Sequence, residues 1–370
     1  MTKRNNRWVM GLLAIAVALG FLSYVYWSGG TRETAAPGDS PYHERTDGYY
    51  TVVDESSRTL FTTGLTVSVG DEYIDENDGH YIIERIEGDV ASARLVGRME
   101  ALPVLPILSA AAQDGVVAIY HTHSDESYVP TDGHHSRPGG GGIIQVGSAM
   151  AEKLEESGVK AVHDSTLHDP HDAGAYDRSR RTATQLLKKK PLALFDVHRD
   201  AGPAEPYLKD VGNAEAAKCM IVVGRTNPKM SANLDFARRL RDAVNKKTPG
   251  LVKGIFMGNA DFNQDLYERA LLLEVGTEKT SREAAERGVE LVASAVPGLL
   301  GATSGPEGVG KGTGKAIGWV LGLAVAGAFV YLWIATGSWD EMKAKILGWF
   351  GTGGVRIGGG RDDQEGPPDR

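Results

Sequence analysis

Three apolar runs in this 370-residue chain are each followed by side chains that can bind a metal ion or transfer a proton. His121, His123 and Glu126 follow the first run, His198 ends the second, and Glu274 ends the third. Histidine nitrogens and carboxylate oxygens are usual zinc ligands, and a catalytic zinc keeps three protein ligands with its fourth position open to water. These residue types in this pattern predict a zinc-dependent hydrolase.

The spacing His123-x-x-Glu126 allows two side chains of one turn to reach the same ion, and His198 would complete the set. Side chains alternate between faces along a strand, so His121 and the residue after it point in opposite directions while the strand lasts. His123 lies just beyond the strand end and is therefore the predicted ligand. His121 is expected to steady the site through a hydrogen bond, or else to be the ligand in place of His123.

Glu274 follows the apolar residues 270–273, so its carboxylate enters the site from an apolar setting. Such a setting makes a carboxylate a stronger base, which suits a general base acting on water. The alternative is a structural ion pair between Glu274 and Arg199 or Arg269. Arg199, next to His198, is predicted to bind a substrate carboxylate, with a structural ion pair again as the alternative.

The elements that must position these side chains lie between residues 115 and 300, where short apolar runs alternate with amphipathic stretches. This alternation predicts an α/β domain with a mostly parallel sheet flanked by helices. Function gathers at the carboxyl ends of the strands in such sheets, so the three polar strand ends are expected to meet. The site-bearing strands are predicted at 116–120, 192–197 and 270–273, and helices at 143–157, 176–190, 231–245 and 281–295.

The rest of the chain divides by composition. Short alternating runs, one of them at 65–69, predict a small β-rich module before the catalytic part. The predicted organisation is an N-terminal transmembrane anchor at 1–28, a flexible stalk at 29–48, the β-rich module at 49–110, the catalytic domain at 115–300, a Gly-rich linker at 301–315, a second transmembrane helix at 316–339 and a mostly disordered tail at 340–370.

Two uncharged stretches, 8–27 and 316–339, are each long enough to cross a bilayer. Basic residues precede the first and follow the second, so the positive-inside rule places both termini in the cytoplasm and the middle of the chain outside. The alternatives are a cleaved signal peptide for the first stretch and a buried helix for the second.

Composition excludes several classes. A net charge of −8 provides no basic surface for nucleic acid, and 41% hydrophobic residues argue against general disorder. The single cysteine, Cys219, excludes an intramolecular disulfide and a cysteine-rich zinc site.

Several sequence blocks resemble the stage II sporulation protein P family of endospore-forming bacteria, which is related to the zinc N-acetylmuramoyl-L-alanine amidases. The similarity extends over residues 49–296 and is most specific in its first two blocks. The blocks are IYHTHSDESY at 119–128, DVHRDA at 196–201, NxxFA at 233–237, NQDL at 263–266 and LEVG at 273–276.

The resemblance implies a zinc enzyme that cleaves the amide between N-acetylmuramic acid and the L-alanine of the stem peptide, with endopeptidase activity also attributed to the family. It implies His123 (or His121), Glu126 and His198 as zinc ligands and Glu274 as the catalytic carboxylate. The implied partners are peptidoglycan, a sporulation lytic transglycosylase and membrane proteins of the engulfment complex. The implied location is the membrane at the sporulation septum, with the catalytic domain outside; a second span is not expected of the family.

Two other functions remain open from the residues. A carboxypeptidase-like zinc peptidase also uses His-x-x-Glu with a distant histidine, and it would differ in the bond that is cut. A non-catalytic septal scaffold would have no need to keep buried histidine and glutamate side chains.

Overall fold

The computed structural model describes residue 45 and residues 48–100, 115–172 and 174–300. Its strands are β1 (Tyr50–Val53), β2 (Thr59–Thr63), β3 (Glu72–Asp75), β4 (Gly79–Glu87), β5 (Val90–Arg98), β6 (Val116–Tyr120), β7 (Lys160–His163), β8 (Ala193–Asp200), β9 (Leu208–Val211), β10 (Ala214–Ala217), β11 (Cys219–Gly224), β12 (Val252–Gly258) and β13 (Ala270–Thr277). Its helices are α1 (Val129–Asp132), α2 (Ile143–Glu156), α3 (Ala175–Leu187), α4 (Met230–Lys247) and α5 (Arg282–Leu300).

Eleven of these strands form one sheet in the order β2-β1-β5-β4-β3-β12-β11-β13-β8-β6-β7, and β9 and β10 form a separate hairpin. From β12 to β7, neighbouring strands run parallel except for the antiparallel pair β11 and β13. The predicted α/β class is confirmed, and the strands of residues 115–300 are mostly parallel as expected. The sheet as a whole is mixed, because the N-terminal strands pair mainly antiparallel.

The N-terminal strands share the sheet with the strands of residues 115–300, since β3 pairs antiparallel with β12. The division at residues 110–115 into a module and a domain stays a prediction. The prediction of a strand at 65–69 was wrong, because the strand in this region is β2, which ends at Thr63. The chain leaves β2 at Gly64, where a Cβ atom would lie 2.6 Å from the Ala201 Cβ. The Gly64 N–H donates to the Asp200 carboxylate instead of to a neighbouring strand. The Thr63 hydroxyl donates to the same carboxylate.

One face of the sheet is covered by α2, α4 and α5, whose apolar side chains join a single buried cluster with β6, β8, β11 and β13. The sequence of α2 shows why it docks there. Ile143, Val146, Met150 and Leu154 recur at helical spacing and are completely buried. Burial of such side chains stabilises the fold by roughly 1.5–3 kcal/mol each. The chain leaves the helix through Gly158, whose positive φ of 81° suits glycine.

The opposite face is covered in two ways. Helix α3 buries Ala183 and Leu186 against β6 and β8. Aromatic side chains of the N-terminal strands cover β11 to β13 beside it, and the Phe61 ring lies 4.3 Å from Tyr73 and 5.3 Å from Phe256 between centroids. This face carries the candidate site, in the space between α3 and the N-terminal strands.

No helix within the described ranges, 48–300 with its two gaps, is both long and apolar enough to cross a membrane. The two stretches predicted to span, 8–27 and 316–339, lie outside those ranges.

Candidate metal centre

The carboxyl ends of β13, β8 and β6 lie side by side in the sheet. Glu274 on β13 is the register partner of His198 on β8, and Asp196 on β8 is the register partner of Tyr120 on β6. Register partners on neighbouring strands point to the same face, with the strands about 4.8 Å apart. The pairing therefore places Glu274 and His198 next to each other at one end of the sheet.

His123, Glu126 and His198 converge at this end. Each offers a ligand atom, and these atoms all lie within 4.8 Å of one another. The Glu126 Oε1 atom is 3.3 Å from His123 Nδ1 and 3.2 Å from His198 Nδ1. All three side chains are at most 2% exposed. The structure thus brings together the three residues that the sequence predicted as metal ligands.

Neighbouring groups hold two of these side chains in one orientation. The His198 Nε2 atom is 2.9 Å from Asp196 Oδ1, which also accepts a hydrogen bond of 2.8 Å from the Thr122 N–H. Glu126 Oε2 accepts a hydrogen bond of 2.9 Å from the backbone N–H of Arg199. The His198 ring thus lies between two carboxylates, with Asp196 near Nε2 and Glu126 near Nδ1. Contacts of this kind around a metal centre fix the tautomer and direction of its ligands.

Charge also favours a cation here. Burial lowers the pKa of His198, but the carboxylates of Asp196 and Glu126 outweigh burial and raise its pKa well above the ordinary value. The same imidazolium lowers the pKa of Asp196 against the effect of burial. Two buried carboxylates therefore flank the His198 ring, one at each nitrogen, and their negative charge favours a positive charge there.

The donor set fits zinc. Two histidine nitrogens and one carboxylate oxygen are a usual set of three protein ligands for a catalytic zinc. Among the residues that the structure describes, this is the one cluster of three or more such side chains with the required proximity.

His121 lies outside this cluster. Its Nδ1 atom is 2.7 Å from the backbone oxygen of Val197, and its Nε2 atom is 2.8 Å from His163 Nε2. Burial, together with His163, lowers the pKa of His121 to about 3, so the ring is neutral. The contact with Val197 lies one residue before His198 on β8, and the role of His121 in steadying the site stays a prediction.

We expect His123→Ala to lose zinc and His121→Ala to retain most of it. The reason is that His123 directs a nitrogen at Glu126, whereas the two ring nitrogens of His121 contact Val197 and His163 instead. Zinc per chain, measured on both purified variants after dialysis, distinguishes the two. The opposite order of zinc content would make His121 the ligand.

Helix α2 touches the His121–His163 pair through Gly147, where a Cβ atom would lie 2.4 Å from His121 Nε2. Alanine is favoured over glycine inside a helix by about 1 kcal/mol, but overpacking a buried contact costs about 1–3 kcal/mol. We therefore expect Gly147→Ala to lower the free energy of unfolding, as measured by denaturant titration. Gly298→Ala in α5 is the control, because its Cβ would meet no atom within 4 Å. Equal stability of the two variants would contradict the contact.

Glu274 is completely buried within β13, which continues beyond it to Thr277 instead of ending at residue 273 as predicted. Of its two predicted ion-pair partners, Arg269 bonds elsewhere: its side chain donates to the backbone oxygen of Leu192 and to the Tyr267 hydroxyl. Arg199 is buried beside Glu126, and its guanidinium donates to the backbone oxygen of His135 at 3.2 Å.

A cleft of about 540 Å³ opens next to the cluster, and Arg199 forms part of its wall. The other lining side chains are mostly polar or basic and come from several loops, from α1 and from the segment before β1. They include Arg45, Tyr49, His135, Ser136, His171, Glu278 and Lys279. A cleft with this lining can take a polar, acidic substrate alongside the metal ligands.

Three residues of the site were not predicted. Asp196 could have been, because it lies two residues before His198 on one strand and so shares its face. Tyr176 packs its ring 5.6 Å from His123 and 6.4 Å from His198, and His171 stacks on His123 at 4.0 Å between centroids. No sequence pattern assigns Tyr176 or His171 to the site, because both residues lie in the segment between β7 and β8 and not at the end of a predicted strand.

Comparisons with known proteins agree on one family. The family model for stage II sporulation protein P matches residues 67–297. Stage II sporulation protein P of Bacillus subtilis (strain 168) is 31% identical over 197 residues, which are 48% of this chain and 49% of that protein. The chain thus spans about half the length of the curated relative it matches. The matched range contains every residue of the candidate metal centre.

Solved structures of two amidases are also similar to this chain. The N-acetylmuramyl-L-alanine amidase of Mycobacterium smegmatis is 15% identical with a TM-score of 0.34, covering 54% of this chain and 100% of its own. The N-acetylmuramoyl-L-alanine amidase of Clostridium difficile 630 is 15% identical with a TM-score of 0.35, covering 51% of this chain and 98% of its own.

Proposed function

This chain belongs to the stage II sporulation protein P family, and from that premise we propose that it is a zinc-dependent peptidoglycan hydrolase. The bond it cleaves is the amide between N-acetylmuramic acid and the L-alanine of the stem peptide. The observation that carries the proposal is the buried cluster of His123, Glu126 and His198, with Glu274 in register beside it.

Zinc, when bound, would supply Lewis acidity that polarises the scissile carbonyl and makes water more acidic. His123, Glu126 and His198 would hold the ion, while Asp196 and the Arg199 N–H keep two of these ligands in place. Each of these contacts is already formed in the structure, so the ligands need little reorganisation.

Glu274 is the proposed general base. It takes a proton from the attacking water as the new C–O bond forms, and it returns that proton to the nitrogen of L-alanine as the C–N bond breaks. The products are the free lactyl carboxylate of the sugar and the free amine of the stem peptide. The apolar strand that precedes Glu274 keeps bulk water away from this proton transfer.

Arg199 is proposed to orient the substrate through a carboxylate of the stem peptide. Its guanidinium lies in the wall of the cleft next to the metal ligands, and guanidinium groups bind carboxylates with defined geometry. Lys279 and Arg45 on the same cleft add positive charge for an acidic peptide.

We place this activity at the sporulation septum and in engulfment, with peptidoglycan as substrate. The proposed partners are a sporulation lytic transglycosylase, which would act on the glycan strands stripped of peptides, and membrane proteins of the engulfment complex. Family membership supports this setting.

The decisive experiment is mass spectrometry of the fragments that residues 40–300, loaded with zinc, release from purified peptidoglycan. Stem peptides with a free L-alanine amine are the expected products. Shortened or uncrosslinked peptides still attached to muramic acid would instead indicate an endopeptidase or a carboxypeptidase-like enzyme. Intact peptidoglycan that nevertheless binds the protein would indicate a scaffold.

For topology, we propose an N-terminal anchor, an extracytoplasmic catalytic part and a cytoplasmic tail. A cysteine introduced by Gly360→Cys should resist a membrane-impermeant thiol reagent in intact cells, whereas one introduced by Gly38→Cys should react. Cys219 should not interfere, because it is fully buried and burial raises its thiol pKa. Labelling of the Gly360→Cys chain in intact cells would contradict the second span.

A further inference from the structure

Asp196, which contacts the proposed ligand His198, is one end of a chain of buried hydrogen bonds. Its carboxylate accepts hydrogen bonds from the hydroxyl and from the backbone N–H of Thr122. The Thr122 hydroxyl oxygen lies 2.8 Å from that of Ser179 in α3. The Nδ2 atom of Asn263 donates to the Ser179 hydroxyl oxygen at 3.1 Å. Four side chains that are at most 3% exposed thus connect the loop between β12 and β13 with His198.

The orientation of the Asn263 amide is fixed by its other contacts. Its Nδ2 atom also donates to the backbone oxygen of Tyr176 at 3.0 Å, and its Oδ1 atom accepts a hydrogen bond of 3.2 Å from Arg180. A guanidinium only donates, so these contacts identify which end of the amide is oxygen and which is nitrogen. Arg180 is itself held, because it donates to both oxygens of the Asp265 carboxylate at 2.7 and 2.6 Å. The Asn263 N–H groups therefore point toward α3.

The backbone at Asn263 adopts a conformation that most side chains disfavour. Phe262 and Asn263 have φ angles of 49° and 56°, in the left-handed region. Asparagine visits this region more readily than most residues, whereas a bulky residue such as phenylalanine seldom does. Strained backbone of this kind persists where the surrounding contacts require it, and it is frequent at functional sites. Here it accompanies the placement of the Asn263 amide in the hydrogen-bond chain.

The same turn contacts a second residue that packs on the proposed ligands. Tyr176 accepts a hydrogen bond from Asn263 through its backbone oxygen, and its ring lies 5.7 Å from that of Phe262. The Tyr176 ring also lies 5.6 Å from His123 and 6.4 Å from His198. Asn263 does not line the cleft next to the metal centre. Its effect on the site must therefore pass through other side chains and not through contact with a substrate.

We propose that Asn263 is a positioning residue for the metal centre. Through Ser179 and Thr122 it holds the Asp196 carboxylate in place. That carboxylate in turn fixes the orientation of the His198 ring before a metal ion binds, which favours binding. This inference rests on the proposed function and deepens it, because it assigns part of the support of a zinc ligand to the loop between β12 and β13.

The test measures the zinc affinity of the purified 370-residue chain by competition with a chelator of known affinity. We expect Asn263→Gly to weaken zinc binding about tenfold, because loss of a group that orients a metal ligand typically costs about 10- to 100-fold in affinity or activity. Glycine adopts a positive φ without strain, so this substitution removes the amide and leaves the turn unstrained. Ser179→Ala, which removes the next link, should also weaken zinc binding. Thr122→Ser keeps the hydroxyl and should keep the parental affinity.

Asn233→Ala is the matched control for lost stability. Asn233 is also buried, and its Nδ2 atom donates to the backbone oxygens of Tyr267 and Ala270, neither of which belongs to the chain. This variant should melt earlier and keep the parental zinc affinity. At saturating zinc, Asn263→Gly should regain most of the parental kcat with an unchanged KM, because Asn263 does not contact the substrate.

Parental zinc affinity in Asn263→Gly or in Ser179→Ala would overturn the inference, as would an equal loss of affinity in Asn233→Ala. Should Asn263→Gly fail to fold, the affinity of Ser179→Ala decides alone. A parental chain that hydrolyses no peptidoglycan would instead overturn the proposed function, whereas the zinc affinities test the positioning role separately.

Discussion

His198→Ala is expected to abolish both zinc binding and hydrolysis. The substitution leaves two of the three converging ligands, and two protein ligands do not hold a catalytic zinc. It also leaves Asp196 buried without the imidazolium that lowers its pKa, and an uncompensated buried charge costs about 3–5 kcal/mol. The variant should therefore melt earlier as well as lose its metal. Zinc per chain, muropeptide release and melting temperature measured on one preparation give all three results.

The control for lost stability is His168→Gln. His168 is also buried, with its ring nitrogens hydrogen-bonded to the His121 backbone oxygen and the Thr182 hydroxyl, but it is not part of the cluster. That variant should melt earlier and still bind zinc. If His198→Ala kept full zinc and full activity, the assignment of the metal centre would be wrong.

Glu274→Gln is expected to lower the rate by two orders of magnitude or more while zinc stays bound. Glutamine keeps the size and one oxygen of the side chain but cannot take a proton from water. General-base catalysis contributes typically about 10²- to 10⁴-fold. The melting temperature should change little, because glutamine is close to glutamate in size and the three proposed ligands, His123, Glu126 and His198, are unchanged.

Two other outcomes identify the alternatives for Glu274. Loss of zinc would make it a fourth ligand, and a lower melting temperature with retained activity would make it a structural ion-pair partner. Glu268→Gln, at an exposed position two residues before β13 begins, is the matched control and should change neither zinc content, melting temperature nor activity.

The parts of the fold that depend on local pattern could be predicted. The run at 116–120 coincides with β6, and the spacing of buried residues in 143–156 places α2 almost to the residue. The order of the strands in the sheet could not be predicted, because it depends on which strand edges pair once the chain has become compact. Hydrophobic periodicity does not indicate that β11 lies between β12 and β13, or that β3 pairs with β12.

The site likewise has a part that could be predicted from the sequence and a part that could not. His123 and Glu126 are three residues apart, so their proximity follows from chain geometry alone. The proximity of His198 to Glu274 depends on the parallel pairing of β8 with β13, which the general rule for strand ends in α/β sheets anticipates. His171 could not be foreseen, since it meets Asp125 across 46 positions of sequence through a loop with no periodic pattern.

The pairing of β3 with β12 has a consequence for any attempt to shorten the protein. Without residues 48–100, β12 would become an open edge strand, with Ile255, Phe256 and Met257 beside unsatisfied backbone N–H and C=O groups. Such an edge is a template for intermolecular strand pairing. A fragment beginning at residue 115 would keep every proposed catalytic side chain and yet be prone to aggregate, so the N-terminal strands protect this chain against self-association.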